Sequence, residues 1–436
     1  MGRPPVTFVM DPGTWAGQVR RTESLRIYVN FERWNLERWN LERWAATGKR
    51  QAMRILHAYR DLLMKGGRPT EVRALLPPLA ALGHEVHAVC LAAEEPVGAD
   101  ALAPGVTIHH VPDGIGSGAD FGRILKQVAP DIVHFAGGTR IVSQSVWIRQ
   151  TRRLGIPYII STNGNVSAGA FQHRFGQKRS SPIQTLGKKA FHRFVDLPHL
   201  RAAAAVHALS DAEAALHAGM GVRRSFVVPW GVPPDWLGDP AVPARKTLAP
   251  PITFTYLGRL SIVHKGLDLV VDAFGKVAAA GLGDRFRVVL AGTTEGDSMD
   301  VLKRTVADLG VPGIAFPGAT FGEAKDRLWA ETHYFLHLCR YNGFALAARE
   351  ALARGVPLLA TRESDMGDWV ERHDMGVVVP LDATGLSEAI IGLLNGEGGR
   401  YQAMTEHAMT FAKDTSWDAV AEAIVAEYAR VLESRA

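Results

Sequence analysis

Short apolar runs of strand length recur along this chain, most of them separated by helix-length segments, and one proline-rich break divides them into two sets. The first set reads RILHAY, EVHAVCL, TIHHV, DIVHFAG, YIIST, AAVHALS and SFVVPWG. The second reads ITFTYLG, RVVLAG, IAFPG, YFLHLC, PLLAT and GVVVP. This rhythm predicts an α/β fold of two similar doubly wound parallel-sheet domains. The break WGVPPDWLGDPAVPARKTLAPP, residues 230–251, is the linker candidate. A terminal helix is predicted from about Trp417 to Leu432. Pro77 and Pro78 interrupt what the pattern makes the first helix and predict a kink or an early stop.

Length agrees with this division, because 436 residues exceed one ordinary core and suit two domains of roughly 150 to 200 residues. No apolar run approaches the ~18 to 20 residues of a spanning helix. PPVTFVMDPG breaks too early for a signal peptide. Cys90 and Cys339 lie in strand-like runs of different halves, which argues for a reducing compartment and a cytosolic protein. The formal charge is +5, but residues 1–52 hold nine Arg/Lys and five Asp/Glu. Most of the excess therefore sits in that extension, which argues against nucleic-acid binding by the folded part.

The extension itself contains ERWNLERWNLERW, with Trp34, Trp39 and Trp44 at a period of five. Five residues advance a helix by about 140° and reverse a strand face, so no regular element gathers these rings on one side. A partner-binding or membrane-anchoring arm is one reading. The other, adopted here, is an upstream extension with poor order, since MRILHAYRD from Met53 makes a natural first strand.

Three motifs carry chemistry. KGGRPTEVRALL follows the first strand, and its pair Gly66 and Gly67 lets backbone approach a ligand beside a helix N-terminus that favours an anion. Such turns occur in any fold of this class. YLGRLSIVHKGLDLVVDAF, residues 256–274, places Gly258, Arg259 and Lys265 on the loop leaving the first strand of the second set, the edge where open α/β sheets bind ligands. Two cations there suit a diphosphate, or are solvated surface charges. In RYNGFALAARE, Asn342 is placed to cap a helix that runs through Gly343, Phe344 and Ala345 to Arg354. Glu350 lies about two turns along it and reads either as an exposed residue paired with a neighbouring Arg or as an acceptor of ribose hydroxyls.

Taken in order and spacing, GGRPTE, GRLSIVHKG and GFALAAREALARGVPLLAT, with HALSDAEAALHAGMGV and SWDAVAEAIVAEYARVL, resemble the retaining glycosyltransferases of family 4 over residues 53–436. The resemblance implies a GT-B fold: an N-terminal acceptor domain (53–235) and a C-terminal nucleotide-sugar domain (236–412) across a cleft, with the last helix (413–436) crossing back. It assigns Arg259 and Lys265 to the donor diphosphate and Glu350, the second acid of an E-x(7)-E motif, to the ribose. Gly66 and Gly67 become the loop that closes over the donor, and Gly258, Gly343, Phe344 and Ala345 line its site.

Two positions depart from the family pattern. The first acid of the motif is Asn342, which hydrogen-bonds a sugar hydroxyl without negative charge. In STNGNVSAG, Asn163 stands where family members often carry histidine before the glycine. Both residues are placed beside the reacting sugar. His134 in DIVHFAGG reads as a satisfied core or cleft histidine.

No D-x-D motif or paired Cys/His spacing is present, so no metal and no cofactor is expected beyond the nucleotide diphosphate sugar. Helix amides, Arg and Lys would then stabilise the leaving diphosphate. The implied reaction is front-face transfer with retention to a glycan or lipid-linked glycan, with no side-chain nucleophile. FQHRFGQKRSSPIQTLGKKAFHRF (171–194) mixes six Arg/Lys with four Phe and reads as a cleft-edge helix and loop or as a peripheral membrane contact. Alternative functions are a nucleotide-sugar epimerase on the same fold and a non-catalytic binder.

Overall fold

The computed structural model describes residues 52–64, 67–91, 105–137, 139–166, 181–237, 248–340, 345–396 and 399–435. The extension expected over 1–52 lies outside these apart from Ala52, as do Gly66, Asn342, Gly343, Phe344 and the first half of the 171–194 segment. The first sheet contains β1 (Arg54–Ala58), β2 (Glu85–Leu91), β3 (Val106–Val111), β4 (Ile132–Phe135), β5 (Tyr158–Ser161), β6 (Ala205–Ala208) and β7 (Ser225–Val227). The second contains β8 (Ile252–Leu257), β9 (Phe286–Ala291), β10 (Ile314–Gly318), β11 (Tyr334–His337), β12 (Leu358–Thr361) and β13 (Gly376–Val379). Their orders are β3-β2-β1-β4-β5-β6-β7 and β10-β9-β8-β11-β12-β13. Strand pairing is parallel throughout both. Each sheet reverses its winding between its first and fourth strands, β1/β4 and β8/β11, so each has its ligand edge at those carboxyl ends.

The helix Gly67–Ala81 runs through Pro77 and Pro78 instead of stopping there. Each proline removes one backbone donor. Burial of Val72, Leu75, Leu76 and Leu79 under this helix, each no more than 1% exposed, outweighs that loss. The helix Trp417–Glu433 crosses back and packs against Gly67–Ala81.

One residue of that last helix enters the first sheet. Tyr428 is fully buried, and its hydroxyl lies 2.6 Å from His134 Nδ1 and 3.1 Å from His57 Nε2. Strand register sets His57 beside His134 and Ser161 beside His207. His134 Nε2 meets Ser161 Oγ at 2.7 Å, Ser161 Oγ meets His207 Nδ1 at 2.8 Å, and His207 Nε2 lies 2.7 Å from the Val228 carbonyl. A carbonyl only accepts, so His207 donates from Nε2, and every proton along the row is thereby fixed. Ser161 donates to His207, His134 to Ser161, Tyr428 to His134, and His57 to Tyr428. All three imidazoles are neutral with the proton on Nε2. Burial, the largest cause, and the neighbouring imidazoles push His57 down to about 3 and His134 well below its ordinary range. Burial holds His207 down at about 4.

The two sheets are joined by a buried ion pair. Arg349, on the helix Leu346–Ala353 of the second half, is fully buried and pairs through Nη2 with Glu71 Oε1 on the helix Gly67–Ala81. Its Nη1 donates to the Gly231 carbonyl. Burial pushes the Glu71 carboxyl up, and the charges of Arg349 and Arg68 pull it back. Trp369 adds a second tie, donating from Nε1 to the Leu209 carbonyl at 3.0 Å.

Two outcomes follow from these contacts. The folded histidines take up protons only near pH 3 to 4, whereas the unfolded chain takes them up near 6.5. Stability is therefore fully present above pH 6.5 and falls as pH drops towards 4, by about 1.4 kcal/mol per unit for each such histidine. Urea melts at stepped pH measure this slope, and a flat profile would contradict the neutral row. Removing one member of the buried pair, as in Arg349→Met, leaves Glu71 without its partner and costs about 3–5 kcal/mol. Adding Glu71→Leu to Arg349→Met is expected to recover part of that loss in the same melts. Strictly additive losses would show that the two side chains act independently.

Candidate active site

At the ligand edge of the second sheet, β8 ends in a turn that needs glycine. Gly258 and Gly292 approach so closely that a Cβ on Gly292 would overlap the Gly258 carbonyl, and both have positive φ. Arg259 follows, with its carbonyl accepting from the Tyr256 hydroxyl at 2.7 Å and its guanidinium 3.2 Å from Glu295 Oε1. The chain then makes a short helix, Ile262–Lys265, stopped by Gly266 in the left-handed region. Lys265 Nζ lies 3.6 Å from Cys339 Sγ, just past β11. Arg340 ties the same loop to β11, donating to the Val263 carbonyl at 2.6 Å and pairing with Asp268 at 2.6 Å. Below them His337 is buried, and desolvation first, then the charges of Lys265 and His264, hold it down at about 3. A neutral imidazole thus lies beside Lys265, while Arg259 and Arg340 are each matched by a carboxylate, Glu295 and Asp268.

The helix after β11 begins later than the capping argument expects. It spans Leu346–Ala353, with Ala345 as its extended N-cap and no side-chain cap. Glu350 is then about one turn in. It is not an exposed residue: it is 4% exposed. Its Oε1 lies 2.8 Å from Lys325 Nζ, on the helix Gly322–Glu331, and 3.7 Å from Arg354. The neighbouring arginine that sequence offered as its partner is present, but on a buried carboxylate and not on an exposed one.

Across from it, Gly67 opens the helix that carries Glu71, so the glycine turn and the start of Leu346–Ala353 are held together by the Glu71–Arg349 pair. Arg68 Nη2 donates to the Asn163 carbonyl at 3.4 Å. Asn163, at the carboxyl end of β5, is left-handed (φ 53°) and buried, with Nδ2 donating to the Ala136 carbonyl at 3.0 Å. One carboxylate fixes its turn: Glu213 accepts from Thr162 Oγ1 at 2.6 Å and from the Gly164 amide at 2.5 Å. It also accepts from the Leu209 amide at 2.8 Å. His134, by contrast, is a satisfied core residue in the histidine row.

The structure therefore gathers Arg259 and Lys265 at one switch point, with Gly67 and Asn163 at the other. The helix that bears Glu350, with Ala345 at its N-cap, is tied through Arg349 to the helix opened by Gly67, while the Glu350 carboxylate pairs with Lys325 and Arg354. Asn342, Gly343, Phe344 and Gly66 lie outside the described residues. Sequence reasoning missed Glu71, Glu213, Glu295, Lys325 and Arg349. Glu213 was visible in outline, because Ser210-x-x-Glu213 is a capping-box pattern and Ser210 does accept from the Glu213 amide at 3.1 Å. The carboxylate turns instead to the loop after β5. No local pattern announces the others, whose partners lie far away in sequence.

Both halves of the chain match known protein families. Residues 66–236 match the family described as Glycosyltransferase Family 4, and residues 251–396 match Glycosyl transferases group 1. A GDP-mannose-dependent alpha-mannosyltransferase of Mycobacterium tuberculosis is 24% identical over 385 residues, covering 84% of this chain and 93% of that protein. A mannosylfructose-phosphate synthase of Agrobacterium fabrum is 27% identical over 140 residues, 28% of this chain and 31% of that protein. In fold, sucrose-phosphate synthase from Thermosynechococcus elongatus superposes with a TM-score of 0.66 at 17% identity, covering 87% of this chain and 99% of that one. The Anabaena protein HepE in complex with UDP gives 0.64 at 15% identity, over 87% and 100%. Two parallel-sheet halves, a last helix that crosses back and matches over both halves lead to one conclusion: the chain belongs to the group 1, family 4 glycosyltransferases and has the GT-B fold.

Proposed function

We propose that this protein transfers a hexose from a nucleotide diphosphate sugar to a glycan or lipid-linked glycan with retention of anomeric configuration. The observation that carries the proposal is the placement of Arg259 and Lys265 on the segment that leaves β8 and of the buried Glu350 on the helix that follows β11, the two strands of the switch point. There the two cations hold the diphosphate, Glu350 accepts the ribose hydroxyls, and Gly258 with Ala345, Gly343 and Phe344 completes the donor site. Gly66 and Gly67 close over the donor from the first domain. Mannose carried on GDP is the preferred donor, supported by relatives named GDP-mannose-dependent alpha-mannosyltransferase and mannosylfructose-phosphate synthase.

In the reaction, cations and helix amides stabilise the negative charge that develops on the leaving diphosphate. The leaving phosphate takes the proton of the acceptor hydroxyl as that hydroxyl attacks from the same face. Asn163 and Asn342 hydrogen-bond the sugar and supply no charge. No metal is required in this scheme. The first half, 53–235, receives the acceptor, 236–412 the donor, and 413–436 braces the two. Action in the cytoplasm, with peripheral contact at the inner membrane face, fits a lipid-linked acceptor. Among the described residues no helix is long and apolar enough to cross a membrane.

Two measurements test this. With GDP-mannose and acceptor, GDP is expected in equal amount to transferred sugar, and saturating chelator is expected to slow transfer less than twofold, about 0.4 kcal/mol. An altered nucleotide sugar without net GDP release would instead identify an epimerase, and binding without turnover a non-catalytic member. Activity lost to chelator and restored by Mg²⁺ or Mn²⁺ would contradict the metal-free scheme. Calorimetry separates the donor residues. Glu350→Gln is expected to weaken GDP and GMP alike by roughly 1.5–3 kcal/mol, whereas Lys265→Ala should weaken GDP much more than GMP. Identical profiles for the two variants would refute the division of ribose and diphosphate between them.

A further inference from the structure

The helix Pro182–Phe191, which continues through His192–Asp196, is amphipathic in the reverse sense. A surface helix ordinarily turns its apolar stripe inward. Here none of the residues Pro182–Phe191 is buried, and Ile183, Leu186 and Phe194 are 83%, 69% and 77% exposed. The half-buried positions are Thr185, Lys188, Phe191, His192 and Val195, so a largely polar face meets the protein and an apolar one faces solvent. The helix is nonetheless well made. Ser181 Oγ accepts from the Gln184 amide and Gln184 Oε1 from the Ser181 amide, each at 3.2 Å, a complete capping box. Other exposed large apolar residues of the described chain, such as Ile115 and Phe321, stand on separate elements and need no partner.

Charge decides what covers this face. From Pro182 to Val195 there is no Asp or Glu, and Lys189 and Arg193 are exposed along the helix. A second copy packed two-fold against the face would bring like charges together with no exposed acid on the helix to pair them, since its one acid, Asp196, is buried and accepts from the Arg140 amide. An anionic lipid surface satisfies both features, since apolar side chains enter the headgroup boundary while cations meet phosphate.

We propose that the outward face of this helix, through Ile183, Leu186 and Phe194 flanked by Lys189 and Arg193, docks the first domain on an anionic bilayer. It rests on the reading of the acceptor as lipid-linked, and places that domain at the surface where such an acceptor resides.

The test is co-sedimentation of the full chain with phosphatidylcholine vesicles, with and without phosphatidylglycerol, which needs no catalysis. Binding at least tenfold tighter to the phosphatidylglycerol vesicles, weakened by salt, is expected. The variant Ile183→Ser/Leu186→Ser/Phe194→Ser should lose at least tenfold in vesicle binding. Lys189→Glu/Arg193→Glu should lose the preference for anionic lipid. Both should keep wild-type urea melts and GDP affinity, since none of the five side chains belongs to the donor site. No vesicle binding by the wild type, binding that the triple variant retains, or a wild-type dimer that the triple variant dissociates would each overturn the proposal. Vesicle binding without glycosyl transfer would count against the proposed reaction alone.

Discussion

The Glu71–Arg349 pair is the contact on which the rest of the site depends. Glu71 lies four residues beyond the glycine that opens the first helix, and Arg349 immediately precedes Glu350. Both are buried, so neither charge is solvated when the partner is absent. The pair therefore disfavours any arrangement in which the start of one helix leaves the start of the other. Arg349 also binds the Gly231 carbonyl, at the point where the chain leaves the first sheet. The last helix adds a second constraint from the opposite end of the chain, inserting Tyr428 into the histidine row.

Around this anchor the electrostatics divide by domain. The edge of the second sheet carries Arg259, paired with Glu295, and Lys265 beside a histidine that burial holds neutral. In the first domain, polar groups near the cleft are spent on shape. Glu213 gathers a hydroxyl and two backbone amides and so fixes Asn163 in the left-handed region. One domain thus carries two cations at its strand ends, and the other a backbone turn held by a buried carboxylate. A family whose reaction separates charge on a leaving diphosphate uses such a division well.

Much of the fold was legible in the chain because fully buried parallel strands are short, apolar and regularly spaced. All thirteen described strands fall on the runs that sequence marks. Local rules failed where distant burial decided the outcome. Pro77 and Pro78 stay within a helix because leucines beneath them are buried. The site was half legible. Arg259, Lys265 and Glu350 belong to spaced motifs, whereas Glu71, Arg349, Glu213 and Lys325 find partners across tens to hundreds of residues. Burial of Glu350 was equally hidden, since a carboxylate amid alanines has the same sequence signature whether or not a lysine from another helix covers it.

We propose that a nucleoside diphosphate binds at the β8/β11 switch point with the start of the helix Gly67–Ala81 held beside it. Hydrogen–deuterium exchange of the full chain with and without GDP tests this most directly. Slowed exchange is predicted in the Gly258–Lys265 loop and the first turn of Leu346–Ala353, with a smaller effect at the start of Gly67–Ala81. Protection confined to the first sheet, or none in Gly258–Lys265 at saturating GDP, would contradict the claim.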